Sequence, residues 1–318
     1  MAAANMTSST DFFMVGFSDF SELQVPLFIL FLISYLITLL GNLLIMAVIY
    51  HDSSLHTPMY FFLTNLSFAD IGYTSVTFPN MLVNFFSGCT HITLSRCLTQ
   101  LYFFMIMIVT ESSLLTVMAY DRYVAICKPL HYTMIMSKTL CGQLAAGAWM
   151  FSLVEPIPHL VLISKFSFCK SHEINHFFCD LTVVLKLSCT STFTIETMTL
   201  ILSALVGLMS FLLILTSYVN IIEAILKIQS RKGRDKAFNT CASHLAVVIL
   251  LYSALFGMYL RPSSTHSMKQ NKIFSLLYIA VVPMCNPIIY SLKNKELKNA
   301  LRKAMRNDDG TIKISEFQ

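Results

Sequence analysis

Seven long apolar segments dominate the chain, and polar residues are concentrated between them. Within each segment the hydrophobic residues run continuously and do not alternate with polar ones, which predicts helices rather than strands. Each segment has the roughly 20 apolar residues that a helix needs to cross a bilayer. The predicted spans are Val25–Tyr50, Pro58–Phe86, Leu98–Ile126, Leu140–Ile163, Ile195–Leu226, Ala237–Leu260 and Ile273–Leu292. The sequence therefore predicts an all-α membrane protein, a seven-transmembrane helix bundle.

Composition supports lipid as the solvent for this chain. Hydrophobic residues make up 55% of the 318 residues and charged residues only 12%, about half the usual soluble fraction of roughly a quarter. The first 20 residues lack the basic start and continuous apolar core of a cleavable signal peptide. The first predicted helix is therefore expected to act as its own insertion signal.

The distribution of Lys and Arg predicts the orientation. With the N-terminus outside, 15 of the 22 Lys and Arg residues fall in cytoplasmic segments and 7 in extracellular ones. Asn5 begins an Asn-Met-Thr acceptor for N-glycosylation, which requires the lumenal side. We therefore expect an extracellular N-terminus over residues 1–24, a transmembrane domain over 25–292 and a cytoplasmic C-terminus.

The segment after the seventh span predicts a short amphipathic eighth helix over residues 293–306. Leu297, Ala300, Leu301 and Ala304 fall on one helical face, and Lys and Arg cover much of the remainder. Such a helix is suited to lie on the anionic inner leaflet. The cytoplasmic tail, 307–318, resembles half of a calcium-binding loop, but its first ligand position holds Met305, so calcium binding is not expected.

The motifs on these segments resemble those of vertebrate odorant receptors, a branch of the rhodopsin-like (class A) G-protein-coupled receptors. Asp121-Arg122-Tyr123 lies at the inner end of the third span, within MAYDRYVAICKPLHY (Met118–Tyr132). LHTPMYFFL (Leu55–Leu63) begins the second span, and KAFNTCASHL (Lys236–Leu245) begins the sixth, with Asn239 where Ser or Gly is more usual. PMCNPIIYSLKN (Pro283–Asn294) closes the seventh. The resemblance covers about residues 10–306.

The resemblance implies a receptor for small, mostly apolar volatile molecules. It would activate a stimulatory G protein (Golf/Gs type), raise cAMP, and reside in the plasma membrane of olfactory sensory neuron cilia. Membrane lipid, the odorant and the heterotrimeric G protein are the expected partners; no nucleic acid and no required cofactor are expected. The alternatives are a rhodopsin-like receptor for another small neutral or lipid-like ligand outside olfaction, and a membrane transporter or channel.

Charged and polar residues near the inner end form the expected switch. Charge at the edge of the hydrocarbon is expensive and is usually functional. In the resting state Arg122 can pair with Asp121. The resemblance implies that activation releases Arg122 from this pair. The resemblance assigns this switch to Asp121, Arg122, Tyr123, Tyr218, Asn286, Pro287 and Tyr290. The alternative is an Arg that only extends its head group to the membrane surface.

Two acids, Asp70 and Glu111, lie well inside predicted spans, so each must be protonated, paired or metal-bound. No Lys or Arg lies at matching depth. With neutral oxygen donors such as Asn286 nearby, the resemblance suggests a Na⁺ site at Asp70 and Glu111. The alternative is a pair of carboxyls that share protons without a metal.

Five of the nine cysteines fall in or beside outer loops, the oxidising side of the membrane. The resemblance implies a Cys97–Cys179 disulfide and a second bridge, Cys169–Cys189, within the long fourth-to-fifth loop. Cys89 is left without a partner.

A ligand cavity is expected in the outer half of the bundle. On the third helix, Phe104, Met105, Ile108 and Val109 share a face, and that face has no acid to bind an amine. The matching family positions elsewhere are Ser203, Val206, Tyr252, Leu255 and Tyr259. An apolar lining with a few hydroxyls favours a small neutral molecule.

An enzyme is not expected, because the outer histidines (His91, His159, His172, His176 and His266) have no matching nucleophile. His172 and His176, beside Cys169 and Cys179, could hold Zn²⁺ or Cu²⁺ if those thiols were free. A transporter would be favoured by an inverted repeat or by broken helices at mid-membrane, and the sequence indicates neither.

Overall fold

The computed structural model describes residues 11–16, 24–87, 90–168, 173–259, 272 and 275–307. Nearly all of them are helical. The helices are α1 (Gln24–His51), α2 (Pro58–Ser87), α3 (Leu94–Cys127), α4 (Tyr132–Ile135), α5 (Lys138–Val154), α6 (Ile157–Ile163), α7 (Leu181–Lys186), α8 (Phe193–Leu226), α9 (Arg231–Tyr259), the π-helical α10 (Leu277–Val281), α11 (Val282–Lys293) and α12 (Lys295–Asn307). Short 3₁₀ turns occupy Ser53–Leu55 and Pro129–His131.

Helices occupy all seven predicted positions. Five are long and apolar enough to cross a membrane: Gln24–His51, Leu94–Cys127, Lys138–Ile163, Phe193–Leu226 and Arg231–Gly257. The second helix, α2, spans 30 residues but interrupts its apolar run with polar residues such as Asp70. The seventh consists of α10 followed by α11, and its apolar part, Leu277–Ser291, is shorter.

The fourth predicted span is broken into α5 and α6. Pro156 and Pro158 lie at this break, and proline lacks the N–H that continues the helical hydrogen-bond ladder. The break leaves Glu155 between the two helices, with a carboxyl oxygen shielded from solvent.

Helix α3 lies at the centre of the bundle and packs against α2, α5, α8 and α9. Buried polar residues such as Asp70, Glu111 and Asn286 face the interior, whereas Leu40, Leu43 and many other large apolar side chains are exposed on the outside. Exposed hydrophobic surface on this scale is typical of a protein that faces lipid.

A three-stranded sheet covers one end of the bundle. Strand β1 (Asp11–Met14) pairs antiparallel with β2 (Thr90–Thr93) and parallel with β3 (Glu173–Ile174). The sheet therefore joins the segment before α1 to the α2–α3 and α6–α7 connections. Because these segments share one end, successive spans run in alternating directions. We call this the sheet end of the bundle.

Lys272 ties the start of the seventh span to the sheet. Its Nζ donates to the carbonyl oxygen of Gly16 (2.8 Å) and to Oδ1 of Asn175 (2.6 Å). Next to Asn175, His176 is buried, and burial, with a smaller contribution from the positive charge of Lys272, lowers the pKa of His176 to about 3. His176 lies in the connection between β3 and α7, and both it and His159 are buried.

The lowered pKa of His176 predicts loss of stability in acid. Because the unfolded chain binds this proton near pH 6.5 and the folded one only near 3, the free energy of unfolding falls as the pH drops through that window. The slope is at most about 1.4 kcal/mol per pH unit. His176→Gln should lose less melting temperature between pH 7 and pH 5 than the wild type. The exposed His131→Gln is the matched control, and parallel curves for His176→Gln and wild type would contradict the prediction.

At the opposite end, α12 folds back against the bundle. Leu297 and Ala300 are buried, whereas Arg302 and Lys303 are exposed. Asn294 caps the helix by accepting hydrogen bonds from the backbone N–H groups of Glu296 and Leu297. The helix is thus present where the amphipathic segment was predicted.

Candidate functional site

A cavity of about 150 Å³ lies between α3, α6, α8 and α9, toward the sheet end. An apolar protein cavity of that size is large enough to take up benzene. Eight of the nine residues expected to contact a ligand line this one cavity: Phe104, Met105, Ile108, Val109, Ser203, Val206, Tyr252 and Leu255. The side chain of the ninth, Tyr259, lies outside the described part of the structure.

Aromatic packing supports two sides of the cavity. Phe104 is 2% exposed, and its ring centroid lies 5.0 Å from that of Phe178 and 5.2 Å from that of Tyr73. On the other side, the Tyr252 hydroxyl lies 2.7 Å from Oγ of Ser210, which itself donates to the Val206 carbonyl oxygen. With that hydrogen already used, the Tyr252 hydroxyl is the donor to Ser210, and the bond joins α9 to α8.

Sequence reasoning missed the three ionisable residues that also line the cavity: Glu155, His159 and Asp180. The cavity has the mostly apolar lining with some hydroxyl groups that was expected, and these three ionisable residues add to it. Glu155 was missed because the face of the fourth span that meets the cavity depends on how the helices pack. Asp180 directly follows Cys179, and the disulfide to Cys97 brings it to α3. Its position next to a predicted bridging cysteine was the one available signal.

The two intramembrane acids meet at Asn286. The Asn286 Nδ2 amide donates to both oxygens of Asp70 (3.1 and 3.0 Å) and to Oε1 of Glu111 (3.2 Å). Both carboxyls are buried, and no described Lys or Arg pairs with either. The Oδ1 atom of Asn286 is buried and has no hydrogen-bond partner among the described residues. Two carboxyls without a basic partner among the described residues are oxygen ligands of the kind that a small hard cation prefers.

At the far end of α3, Arg122 is held by its neighbour. Its Nη2 and Nε donate to Oδ2 of Asp121 at 2.6 and 3.1 Å, and the Tyr132 hydroxyl donates to Oδ1 of the same carboxylate at 2.7 Å. Asp121 is fully buried. Tyr123 lies outside this network, with Nζ of Lys128 5.8 Å from its ring centroid.

A second contact joins three helices near Arg122. Nε2 of His244 lies 3.0 Å from the Leu115 carbonyl oxygen, and Nδ1 lies 2.7 Å from the Tyr218 hydroxyl. A carbonyl oxygen only accepts, so Nε2 carries the hydrogen, and in the neutral ring Nδ1 accepts from Tyr218. His244 was not among the predicted switch residues, although the motif on the sixth span contains it.

Tyr290 and Pro287 lie on α11 and are both buried. The Tyr290 hydroxyl has no hydrogen-bond partner among the described residues. Pro287 packs against Gly41 of α1 so closely that a Cβ atom at position 41 would lie 2.9 Å from that of Pro287. The glycine is therefore required for α1 to approach the seventh span.

The Cys97–Cys179 disulfide is present, as predicted, so neither thiol is available to a metal. Cys189 is also disulfide-bonded, whereas Cys169, Cys89, His172 and Asn5 lie outside the described residues. Cys127, Cys141, Cys241 and Cys285 are free thiols. The described residues contain no group of three or more His, Cys, Asp or Glu side chains able to hold a metal.

Seven helical segments, a cavity near one end and a paired arginine at the other define a rhodopsin-like membrane receptor. The sequence profile of the olfactory receptor family matches residues 31–308. The chain is 50% identical to olfactory receptor 1G1 of Gorilla gorilla gorilla over 95% of its own length and 97% of the relative's. It is 47% identical to olfactory receptor 5B12 of Homo sapiens (97% and 98% covered) and to olfactory receptor 1M1 of Mus musculus (98% and 99% covered).

The chain belongs to the olfactory receptor family. It is accordingly a multi-pass membrane receptor of the G-protein-coupled class, and not an enzyme.

Proposed function

We propose that this receptor binds a small, mostly apolar volatile molecule in the cavity and activates a stimulatory G protein of the Golf/Gs type, raising cAMP. The observation that carries the proposal is the convergence of Phe104, Ile108, Val206, Tyr252 and other predicted contact residues on one cavity. Its dimensions suit a molecule of about benzene size.

The cavity and the switch share helices, which offers a route for the signal. Tyr252 lines the cavity and bonds to Ser210 of α8. About two turns closer to the start of α9, His244 bonds to Tyr218 of α8 and to Leu115 of α3. A ligand that displaces Tyr252 would shift α9 against α8 and strain the His244 contacts. Release of α9 would then open the end of the bundle where Arg122 lies.

The sheet end faces outward in this proposal, and α12 lies as an eighth helix on the inner leaflet of the plasma membrane. The exposed Arg302 and Lys303 suit an anionic lipid surface. The domains then follow the predicted bounds: an extracellular N-terminus over 1–24, the transmembrane domain over 25–292, the amphipathic helix over 293–306 and a cytoplasmic tail over 307–318. Residence in sensory cilia is part of the same proposal.

The test is a cAMP reporter assay in cells that express the full chain with and without a stimulatory Gα subunit, exposed to a panel of volatile molecules. We expect responses that require Gα. A ligand-evoked ion current or solute flux that persists without Gα would instead support a channel or transporter. Responses confined to non-volatile lipids would place the ligand outside olfaction.

We also propose that Asp70 and Glu111, with Asn286, hold Na⁺ in the resting receptor. The cation would neutralise two buried carboxyls that have no basic partner among the described residues. Na⁺ bound there stabilises the resting arrangement, so its removal favours the active one.

Replacing extracellular Na⁺ by N-methyl-D-glucamine is therefore expected to lower the agonist EC50 several-fold. Glu111→Gln removes one of the two charges and should abolish this dependence while leaving the amide contact to Asn286. Asp52→Asn, an acid outside the bundle interior, is the matched control. Equal agonist potency in both cations for the wild type would contradict the sodium site.

A further inference from the structure

Two acids and a histidine line an otherwise mostly apolar cavity. Glu155 comes from the break between α5 and α6, His159 from α6, and Asp180 from the residue that caps α7. The cavity-lining side chains of α3 include no acid. The acidic wall, Glu155, His159 and Asp180, therefore approaches a ligand from a different direction than helix three.

Asp180 is 1% exposed, yet only one of its oxygens has a partner in the described structure. Oδ1 accepts a hydrogen bond from the Thr182 backbone N–H (2.9 Å) and another from its hydroxyl. Oδ2 is buried and has no hydrogen-bond partner among the described residues. Burial raises the pKa of Asp180; the bonds from Thr182, and to a smaller extent the charge of Lys186, oppose that shift. A buried carboxylate oxygen without a partner is unfavourable until a donor reaches it.

Glu155 and His159 also have polar side-chain atoms without a hydrogen-bond partner. Oε2 of Glu155 and Nδ1 of His159 are shielded from solvent and have no hydrogen-bond partner in the described part of the chain. His159 is 1% exposed. The charged side chains among the described cavity residues are both acids, and neither Lys nor Arg lines the cavity. The acidic wall thus offers carboxyl oxygens as acceptors, and no described Lys or Arg side chain lines the cavity beside them.

We propose that the acidic wall selects volatile amines, bound as ammonium ions, among the ligands of this receptor. An ammonium group has donors for the open oxygens of Asp180 and Glu155, and its charge compensates theirs. The apolar body of the amine would pack on Ile108, Leu255 and Phe256. An ester or ketone of the same shape only accepts hydrogen bonds, so it leaves both carboxylates unpaired. The inference rests on the proposed function, because it assigns a ligand class to the same cavity.

The test uses straight and cyclic primary amines of five to eight carbons, each paired with the alcohol of the same skeleton. Two readouts are taken: the melting-temperature shift of the purified full-length receptor in lipid nanodiscs, and the EC50 in the cAMP reporter assay. We expect amines to give the larger shift and an EC50 at least tenfold lower than that of the paired alcohol. Glu155→Gln and Asp180→Asn should each raise the amine EC50 at least tenfold and change the alcohol EC50 less than about twofold.

The variants are chosen to preserve the fold. Asn at position 180 keeps an oxygen for the Thr182 N–H, and Glu155→Gln provides an independent result should the first variant fail to reach the membrane. Glu196→Gln is the matched control, since this acid at the start of α8 accepts from Thr192 and does not line the cavity.

The outcomes separate the two claims. Amines that bind no better than their alcohols, or variants that weaken both classes equally, would overturn the proposal that the acidic wall selects amines. The proposed function would still stand in that case, because the receptor would respond to the alcohols. A receptor that neither amines, alcohols nor the wider volatile panel stabilise or activate would overturn the proposed function itself, and the amine assignment with it.

Discussion

Asp121→Asn is expected to raise the agonist-free cAMP signal about tenfold at equal surface expression. The carboxylate holds Arg122 through two contacts of 2.6 and 3.1 Å in a buried setting. Removing one partner of a buried ion pair is unfavourable by about 3–5 kcal/mol. Asn retains part of the hydrogen bonding, so the loss is smaller than that. A destabilisation of the resting state alone by about 1.4 kcal/mol is enough for a tenfold change in the active population.

Companion variants define what the Asp121→Asn result means. Tyr132→Phe removes the 2.7 Å bond to Asp121 and should raise basal signalling by a smaller factor. Tyr120→Phe, on an exposed tyrosine of the same helix, should leave it unchanged. Arg122→Leu should abolish the response to agonist, because the proposed switch is then missing. Basal signalling at the wild-type level in Asp121→Asn would show that this ion pair does not hold the resting state.

Filling the cavity from Gly207 is expected to remove the response to volatile ligands in proportion to side-chain size. Gly207 lines the cavity, and a Cβ atom added there meets no atom within 4 Å. Gly207→Ala should change the EC50 little, Gly207→Leu should raise it more than tenfold, and Gly207→Trp should leave no response. The measurement is the dose–response curve for an agonist of the wild type, normalised to surface expression.

The same three substitutions at Gly147 are the control, because a Cβ there also meets nothing within 4 Å but the residue lies on α5, away from the cavity. These variants should keep the wild-type EC50. A Gly207→Trp receptor that reaches the surface and responds normally would place the ligand elsewhere.

The cavity residues on α3 could be predicted from the sequence because helical spacing alone puts Phe104, Met105, Ile108 and Val109 on one face. The acidic wall could not be predicted in this way. The placement of Glu155 depends on how the fourth span packs beside the cavity, and that of Asp180 on a disulfide that holds a loop against α3. Both are consequences of contacts between segments, and neither leaves a periodic signal.

In the switch region, too, one contact could be predicted from the sequence and others could not. The pairing of Arg122 with Asp121 joins adjacent residues and was predicted from the chain. The contact of His244 with Leu115 joins residues 129 positions apart, and the bonds from Asn286 to Asp70 join residues 216 positions apart. The family resemblance anticipated Asn286 near the two acids, but the pattern of residues alone predicts neither contact, because that requires knowing how the helices cross.

The sequence by itself determined the seven helical positions and the family, because helix formation and membrane insertion depend on the local run of apolar residues, and each motif lies within a single segment. Only the tertiary structure decided which polar groups meet: that Asn286 bridges two acids, that His244 links three helices, and that two carboxyls face the ligand cavity. The physical reason is that a buried polar group takes its partner from whichever helix packs beside it, and that neighbour is set by the packing of the whole bundle.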